Sequence, residues 1–185
     1  MMKDELKDLE KRMKYSVEHF RKDLSKIRTG RANISIFEDI KVDYYGAQTP
    51  INQLATLSVP DPTLVTIQPY DPNILESLEK SIRDAGLGLN PVNDGKKLKV
   101  PIPPLDQERR EEIAKHIRKL VEEEKTTIRN MRRETKEKIE EMEKNKEISE
   151  DDKYRGYDKL KELVEEYTKK ADELASAKEK EILEV

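Results

Sequence analysis

Lys125, Arg129, Arg132 and Lys136 follow one another at steps of 4, 3 and 4, with Arg133 beside them. In a helix this spacing puts the four on one face. An arginine guanidinium is a planar fork of N–H donors that matches phosphate oxygens, so such a row can grip a phosphate backbone. Residues 109–138 carry 11 basic and 7 acidic side chains, a local net of +4 in a chain whose formal net charge is −3. A chain that repels anions in general but concentrates positive charge on one helix binds them at a defined place. The same spacing also fits an ordinary solvated face tied by ion pairs, such as Arg129 or Arg133 with Glu134 or Glu137. Arg21 and Arg28 stand one residue beyond Phe20 and Ile27 in the first helix, in the same relation to its apolar row.

Other chemistry is hard to assemble. The two histidines, His19 and His116, each sit one residue off an apolar row with no aligned acid, which suits surface or boundary positions. There is no Gly-x-x-x-x-Gly-Lys-Ser/Thr loop and no Gly-x-Gly-x-x-Gly turn to cradle phosphates. Gly86-Leu87-Gly88 reads as a helix cap, and the acidic runs 122–124 and 150–152 read as solvated faces. With no cysteine, disulfide scaffolds, thiolate metal sites and thiol catalysis are excluded. A hydrolase built on Asp61 and Asp71 of the central region is a remote alternative. The expectation is a protein that is not an enzyme and has no cofactor and no metal.

The 185 residues suffice for one or two small domains. Charged residues make up 42% and hydrophobic ones 34%, and the mean hydropathy of −0.95 leaves exposed helices or disorder as the choices. No apolar run approaches a membrane span, and the first residues lack the apolar stretch of a signal peptide. A soluble, cytoplasmic protein with no membrane partner is expected.

Periodicity decides for helices. Met2, Leu6, Leu9, Met13, Val17, Phe20, Leu24 and Ile27 step by threes and fours, predicting a helix over 2–27 that stops before Gly30. Asp106 is an N-cap for a second helix running to about Asn145, with Ile113, Ile117, Leu120, Ile128, Met131, Ile139 and Met142 inward and Glu124 and Thr135 filling turns. Ser149 with Asp152 resembles a capping box opening a third helix, whose row is Tyr157, Leu160, Val164, Tyr167, Ala171, Leu174 and Ile182.

Residues 30–105 hold all nine prolines and five of the six glycines. Strands are expected at 34–45, 54–59, 63–68 and 97–102, with a short helix from Asp71-Pro72 to Ala85-Gly86 and a hairpin-type turn at Asn93-Asp94-Gly95. The organisation is therefore α+β and discontinuous: a long three-helix bundle from 1–29 and 106–185, with a small β/α/β domain, 30–105, inserted between its first two helices. Thr29-Gly30 in one crossing and Pro103-Pro104-Leu105 in the other make a hinge, or simply an ordinary domain boundary.

Together the segments resemble the ribosome recycling factor family, over nearly the whole chain. The resemblance rests on Arg28-Thr29-Gly30-Arg31-Ala32, Tyr44-Tyr45-Gly46 followed by Thr49-Pro50, Leu87-Gly88-Leu89-Asn90-Pro91, and Val100-Pro101-Ile102-Pro103-Pro104-Leu105 with Glu108-Arg109-Arg110. Arg129-Asn130-Met131-Arg132-Arg133 and the run from Lys146 to Asp152 complete the set in family order. The resemblance implies an L-shaped, monomeric protein that binds the large subunit of the post-termination ribosome through its bundle. It implies splitting into subunits together with elongation factor G, which hydrolyses the GTP. It places the contact with ribosomal RNA on Arg129, Arg132 and Arg133, with Arg28 and Arg31 contributing near the bundle tip; Lys125 and Lys136, from the spacing of the row, complete the expected RNA-binding set. Without the resemblance, the same residues equally suit a helical adaptor whose basic stripe meets an acidic protein.

Overall fold

The computed structural model describes residues 1–184, which fall into two compact units: Met1–Leu24 with Glu111–Val185, and Ser25–Arg110. In chain order the elements are α1 (Met2–Ser25), a 3₁₀ turn (Ile34–Phe37), β1 (Lys41–Tyr44), β2 (Ala47–Pro50), α2 (Ile51–Leu54), β3 (Ala55–Asp61) and β4 (Leu64–Pro69). A second 3₁₀ turn (Pro72–Ile74) leads into α3 (Leu75–Asp84), β5 (Val92–Asn93), β6 (Leu98–Pro101), α4 (Gln107–Lys144) and α5 (Glu150–Leu183).

The discontinuous unit is a bundle of α1, α4 and α5. From α1 it buries Leu9, Met13, Val17, Phe20 and Leu24, the middle of the row expected from the sequence; Met2 and Leu6 are half-buried, and Ile27 lies beyond the helix end. Asp106 Oδ1 accepts from Arg109 N at 2.7 Å and opens the 38-residue α4. Its buried row is Ile113, Ile117, Val121, Ile128, Thr135 and Ile139. Leu120, expected in that row, is only half-buried, because the seam shifts to Val121 one position on. Glu124 fills its turn by accepting from Ser16 Oγ of α1 at 2.7 Å. Ser149 opens α5 with a complete capping box: its Oγ accepts from Asp152 N at 3.1 Å, and Asp152 Oδ2 accepts from Ser149 N at 3.3 Å. Gly156 is buried there, and a Cβ on it would stand 3.1 Å from both Ile139 Cδ1 and Met2 Sδ. The glycine brings α5 close to α4 and the start of α1.

The second unit packs α3 on a four-stranded antiparallel sheet ordered β3-β4-β6-β5. Phe37, Ile51, Ile67, Leu78, Ile82 and Leu98 are fully buried in its core. Asp71 accepts from Asn73 N at 3.0 Å and caps the turn into α3, as the Asp-Pro pair predicts. The strand expected over 34–45 does not form as one piece. Asn33 accepts from Ser35 N at 2.9 Å and winds 34–37 into a 3₁₀ turn, so only Lys41–Tyr44 extends. That strand pairs with β2, which the sequence reading missed, through a turn with positive φ at Tyr45 (50°) and Gly46 (86°). Two residues of that hand fit the twist of a hairpin.

α1 ends at Ser25, four residues before the expected stop at Thr29. Asn33 Nδ2 donates to the Ser25 carbonyl at 3.2 Å, and Lys26 pairs with Asp39 at 2.9 Å, so contacts within the second unit claim the chain first. Gly30, at φ 76°, lies so near the other crossing that a Cβ would stand 3.2 Å from Leu105 N and 3.7 Å from Pro104 Cα. Thr29 is buried, and Ile102 N donates to Thr63 O at 2.7 Å.

Candidate nucleic-acid interface

The bundle positions the cationic row through α4, whose buried residues turn Arg129, Arg132 and Arg133 outward as exposed side chains. Arg118, further back on the same helix, pairs with Glu179 of α5, whereas these three make no such bond. Among the described residues, none of them is ion-paired or hydrogen-bonded. The carboxylates that could have neutralised them are engaged or apart. Glu134 accepts from Arg12 of α1 at 2.8 Å, and Glu137 forms no ion pair with either Arg129 or Arg133. The solvated face tied by Arg129 or Arg133 to Glu134 or Glu137 is therefore not what the structure forms.

The two ends of the row behave differently. Lys125 is largely covered and pairs with Asp172 of α5 at 2.6 Å and with Glu122 at 3.4 Å. Its ammonium is pushed above the ordinary lysine range, chiefly by the hydrogen bond to Asp172. Lys136 pairs with Glu140 at 3.7 Å and lies 5.3 Å from the centre of the Tyr157 ring. The Tyr157 hydroxyl donates to Glu140 at 2.8 Å, and burial followed by that bond pushes it up to about 12. Lysines at both ends thus tie α4 to α5 or to its own face, while the arginines between them keep their donors for an outside partner.

Arg132 and Lys136 rim a groove of about 480 Å³ between α4 and α5, floored by Leu160 and Val164 with Tyr157 and Lys161 alongside. Tyr157 was read as a member of the apolar row. Its ring does pack against the bundle core, half-buried, while its hydroxyl reaches the rim and donates to Glu140 on the facing helix.

The remaining expected contacts lie in the other unit. Arg31 is exposed. Arg28 is half-buried, with Nη1 donating to the Leu87 carbonyl at 2.9 Å and Nε buried without a partner. Part of its fork already serves to hold the start of this unit against the end of α3. His19, expected to lack an aligned acid, has one: Asp23, four residues on, lies 3.3 Å from its Nδ1, an exposed pair on the helix surface. No group of three or more metal-ligating side chains occurs among the described residues.

Residues 20–183 match the family model described as ribosome recycling factor. The chain belongs to the ribosome recycling factor family. It is 48% identical over 185 residues to a ribosome-recycling factor of Syntrophomonas wolfei and 46% identical over 184 residues to one of Nitratidesulfovibrio vulgaris. Those alignments cover 100% of this chain, and 100% and 99% of the two relatives. A solution structure of the ribosome recycling factor superposes with a TM-score of 0.81 at 42% identity, covering 100% of this chain and 98% of that one. A second, the Thermus thermophilus factor placed with Escherichia coli elongation factor G on the E. coli post-termination complex, gives 0.69 at 41% identity, with 99% of each chain covered. The α+β class, a helical bundle joined to a small antiparallel-sheet unit, is the family's architecture. No helix among the described residues is long and apolar enough to cross a membrane.

Proposed function

We propose that this protein recycles ribosomes after translation termination, docking its bundle on large-subunit ribosomal RNA through Arg129, Arg132 and Arg133. The observation that supports this reading is that the three arginines carry no internal partner while their neighbours Lys125 and Lys136 do. A rigid helix with unspent guanidinium forks fixes position and orientation on a phosphate backbone without reading sequence. Lys125 and Lys136 hold the edges of the row, and Arg31 supplies a further cation from the other unit. With elongation factor G hydrolysing GTP, the factor then splits the ribosome into subunits in the cytoplasm, acting as a monomer that itself performs no catalysis.

The force would pass through the domain of residues 30–105, which swings on the bundle of 1–29 and 106–185 at Thr29-Gly30 and Pro103-Pro104-Leu105. Gly30 packs closely against Leu105, so the two crossing segments run side by side within the second unit. Locking the domains with an engineered disulfide should leave large-subunit binding nearly intact and abolish splitting. A locked protein that still splits ribosomes rules the pivot out.

The deciding experiment is co-sedimentation with purified large ribosomal subunits across a salt series, comparing the native chain with Arg132→Ala. Salt-sensitive binding, weakened in the variant with a slope flatter by about one phosphate's worth, is expected. A well-folded native chain that fails to bind returns the row to an adaptor surface for an acidic protein.

A further inference from the structure

The three seams of the bundle differ in how they are closed. Between α1 and α4, Arg12 pairs with Glu134, Lys138 with Glu5 at 2.8 Å, and Ser16 with Glu124. Between α4 and α5, Lys125 pairs with Asp172, Lys153 with Glu143 at 3.6 Å, and Arg118 with Glu179. Between α1 and α5, no ion pair crosses among the described residues. That seam opens instead into a groove of about 420 Å³ rimmed by Lys7, Lys11, Lys14 and Lys170.

Lys7, Lys11 and Lys14 are exposed and, among the described residues, neither ion-paired nor hydrogen-bonded. They rise about 6 Å and then about 4.5 Å along α1, one row on one face. The acids within the groove are Glu10 and Glu166, and Glu166 is already paired with Lys170 at 3.0 Å. Asp4 and Glu18, one turn away at either end, are held by the N-terminal ammonium and by Arg21. Positive charge is therefore left over at this seam. Tyr15, next to Lys14 and one turn beyond Lys11, is 75% exposed, an aromatic ring at the edge of a lysine row.

We propose that the groove between α1 and α5 is a second binding face for an RNA phosphate backbone, gripped by Lys7, Lys11 and Lys14, with Tyr15 stacking on a base beside it. An RNA partner fits better than a protein. Lysine is depleted from protein–protein interfaces, and the aromatic floor here, Tyr167, is buried and offers no apolar anchor. Lysines act as compact, rotatable point charges that neutralise phosphates without a fixed geometry, and an exposed tyrosine adds a sequence-tolerant stacking surface. The bundle would then hold RNA on two flanks of α5, the arginine groove on one side and the lysine groove on the other.

The test measures affinity for purified large ribosomal subunits against salt, for the native chain, for Arg132→Ala, and for a triple variant carrying Lys7→Gln, Lys11→Gln and Lys14→Gln. The triple variant should melt with the native chain, bind more weakly, and flatten the slope of log affinity against log salt by about 2–3. Tyr15→Trp, placing the sole tryptophan in the chain, should lose emission on binding through stacking on a base. A triple variant with native affinity and slope overturns the proposal while leaving the recycling function standing, provided that Arg132→Ala still weakens binding. A triple variant that loses affinity at an unchanged slope also overturns it, since a protein surface and not phosphate would be the partner. A native chain that does not bind overturns both.

Discussion

Arg12 on α1 donates to Glu134 on α4 at 2.8 Å, and this bond withdraws from the cationic row the carboxylate next to Arg133. The Glu134 carboxyl is held below the usual glutamate range, first by that hydrogen bond and then by the charges of Arg12, Lys138 and Arg133. One ion pair thus staples two helices and leaves Arg133 beside Glu134 without an ion pair of its own.

Replacing Arg12 with Ala should let the Glu134 carboxyl titrate closer to its ordinary value, read by carboxyl NMR. A depressed carboxyl stabilises the fold above its unfolded value and loses that contribution as pH falls through the folded one. The native chain should therefore lose slightly more stability than Arg12→Ala on acidification below the ordinary glutamate range. An unmoved Glu134 titration would show that Arg12 does not govern it.

Tyr157 moves stability at the other end of the scale. Its hydroxyl is pushed up to about 12 by burial and by donation to Glu140, against an ordinary value near 10. The unfolded chain releases this proton first, so stability should fall as pH rises from about 10 to about 12. Ultraviolet titration of the native chain against Tyr157→Phe isolates the phenol. A Tyr157 that ionises with the exposed tyrosines contradicts the burial argument.

Ile117 and Leu120 stand three residues apart on α4, yet only Ile117 is fully buried. Ile117→Ala should cost about 2–5 kcal/mol and Leu120→Ala clearly less, as read by urea denaturation. Equal costs would place both in the seam.

Gly156 is where packing opposes helix propensity. Alanine is preferred over glycine by about 1 kcal/mol in a helix interior, but here its Cβ would press on Ile139, which has no exposed surface. Gly156→Ala should gain nothing or lose stability, and Ile139→Val, which removes Cδ1, should rescue it with a coupling of about 0.5–3 kcal/mol. Strict additivity in the double-mutant cycle would remove the contact from the account.

Gly30→Ala should cost about 1–2 kcal/mol for the left-handed backbone alone, because L side chains resist the φ of 76°. The tight approach to Leu105 N adds to this, since a backbone atom cannot swing aside as a side chain can. A thermal melt unchanged by this substitution would mean that the two crossings are loosely packed.

The long elements were legible because a step of three or four repeated over many turns has one reading. The α1 row from Leu9 to Leu24, the Asp106 cap and the Ser149–Asp152 box all stand where the spacing puts them. Short elements were not. Over 34–45 the β-rich composition concealed the Asn33 cap, and β2 was lost because Ala47-Gln48-Thr49-Pro50 buries no side chain fully. Lys178 shows the same limit from the other side: the α5 row skips it as charged, whereas the fold buries it, lowers its affinity for a proton and leads its head to Glu181 at 3.7 Å. Which cations in the row are already engaged was equally invisible, since Lys125 meets Asp172 across 47 residues of sequence.

The discontinuity of the bundle also sets an order of events during synthesis. The unit of residues 25–110 is contiguous and can close as soon as it has emerged, whereas α1 must wait for α4, more than eighty residues later, before its buried row has anything to meet. At about 5–20 residues per second, that row stays uncovered for several seconds or more on the translating ribosome. The nascent chain thus carries a finished small domain beside an amphipathic helix without a mate, a state in which a holding chaperone has something to bind.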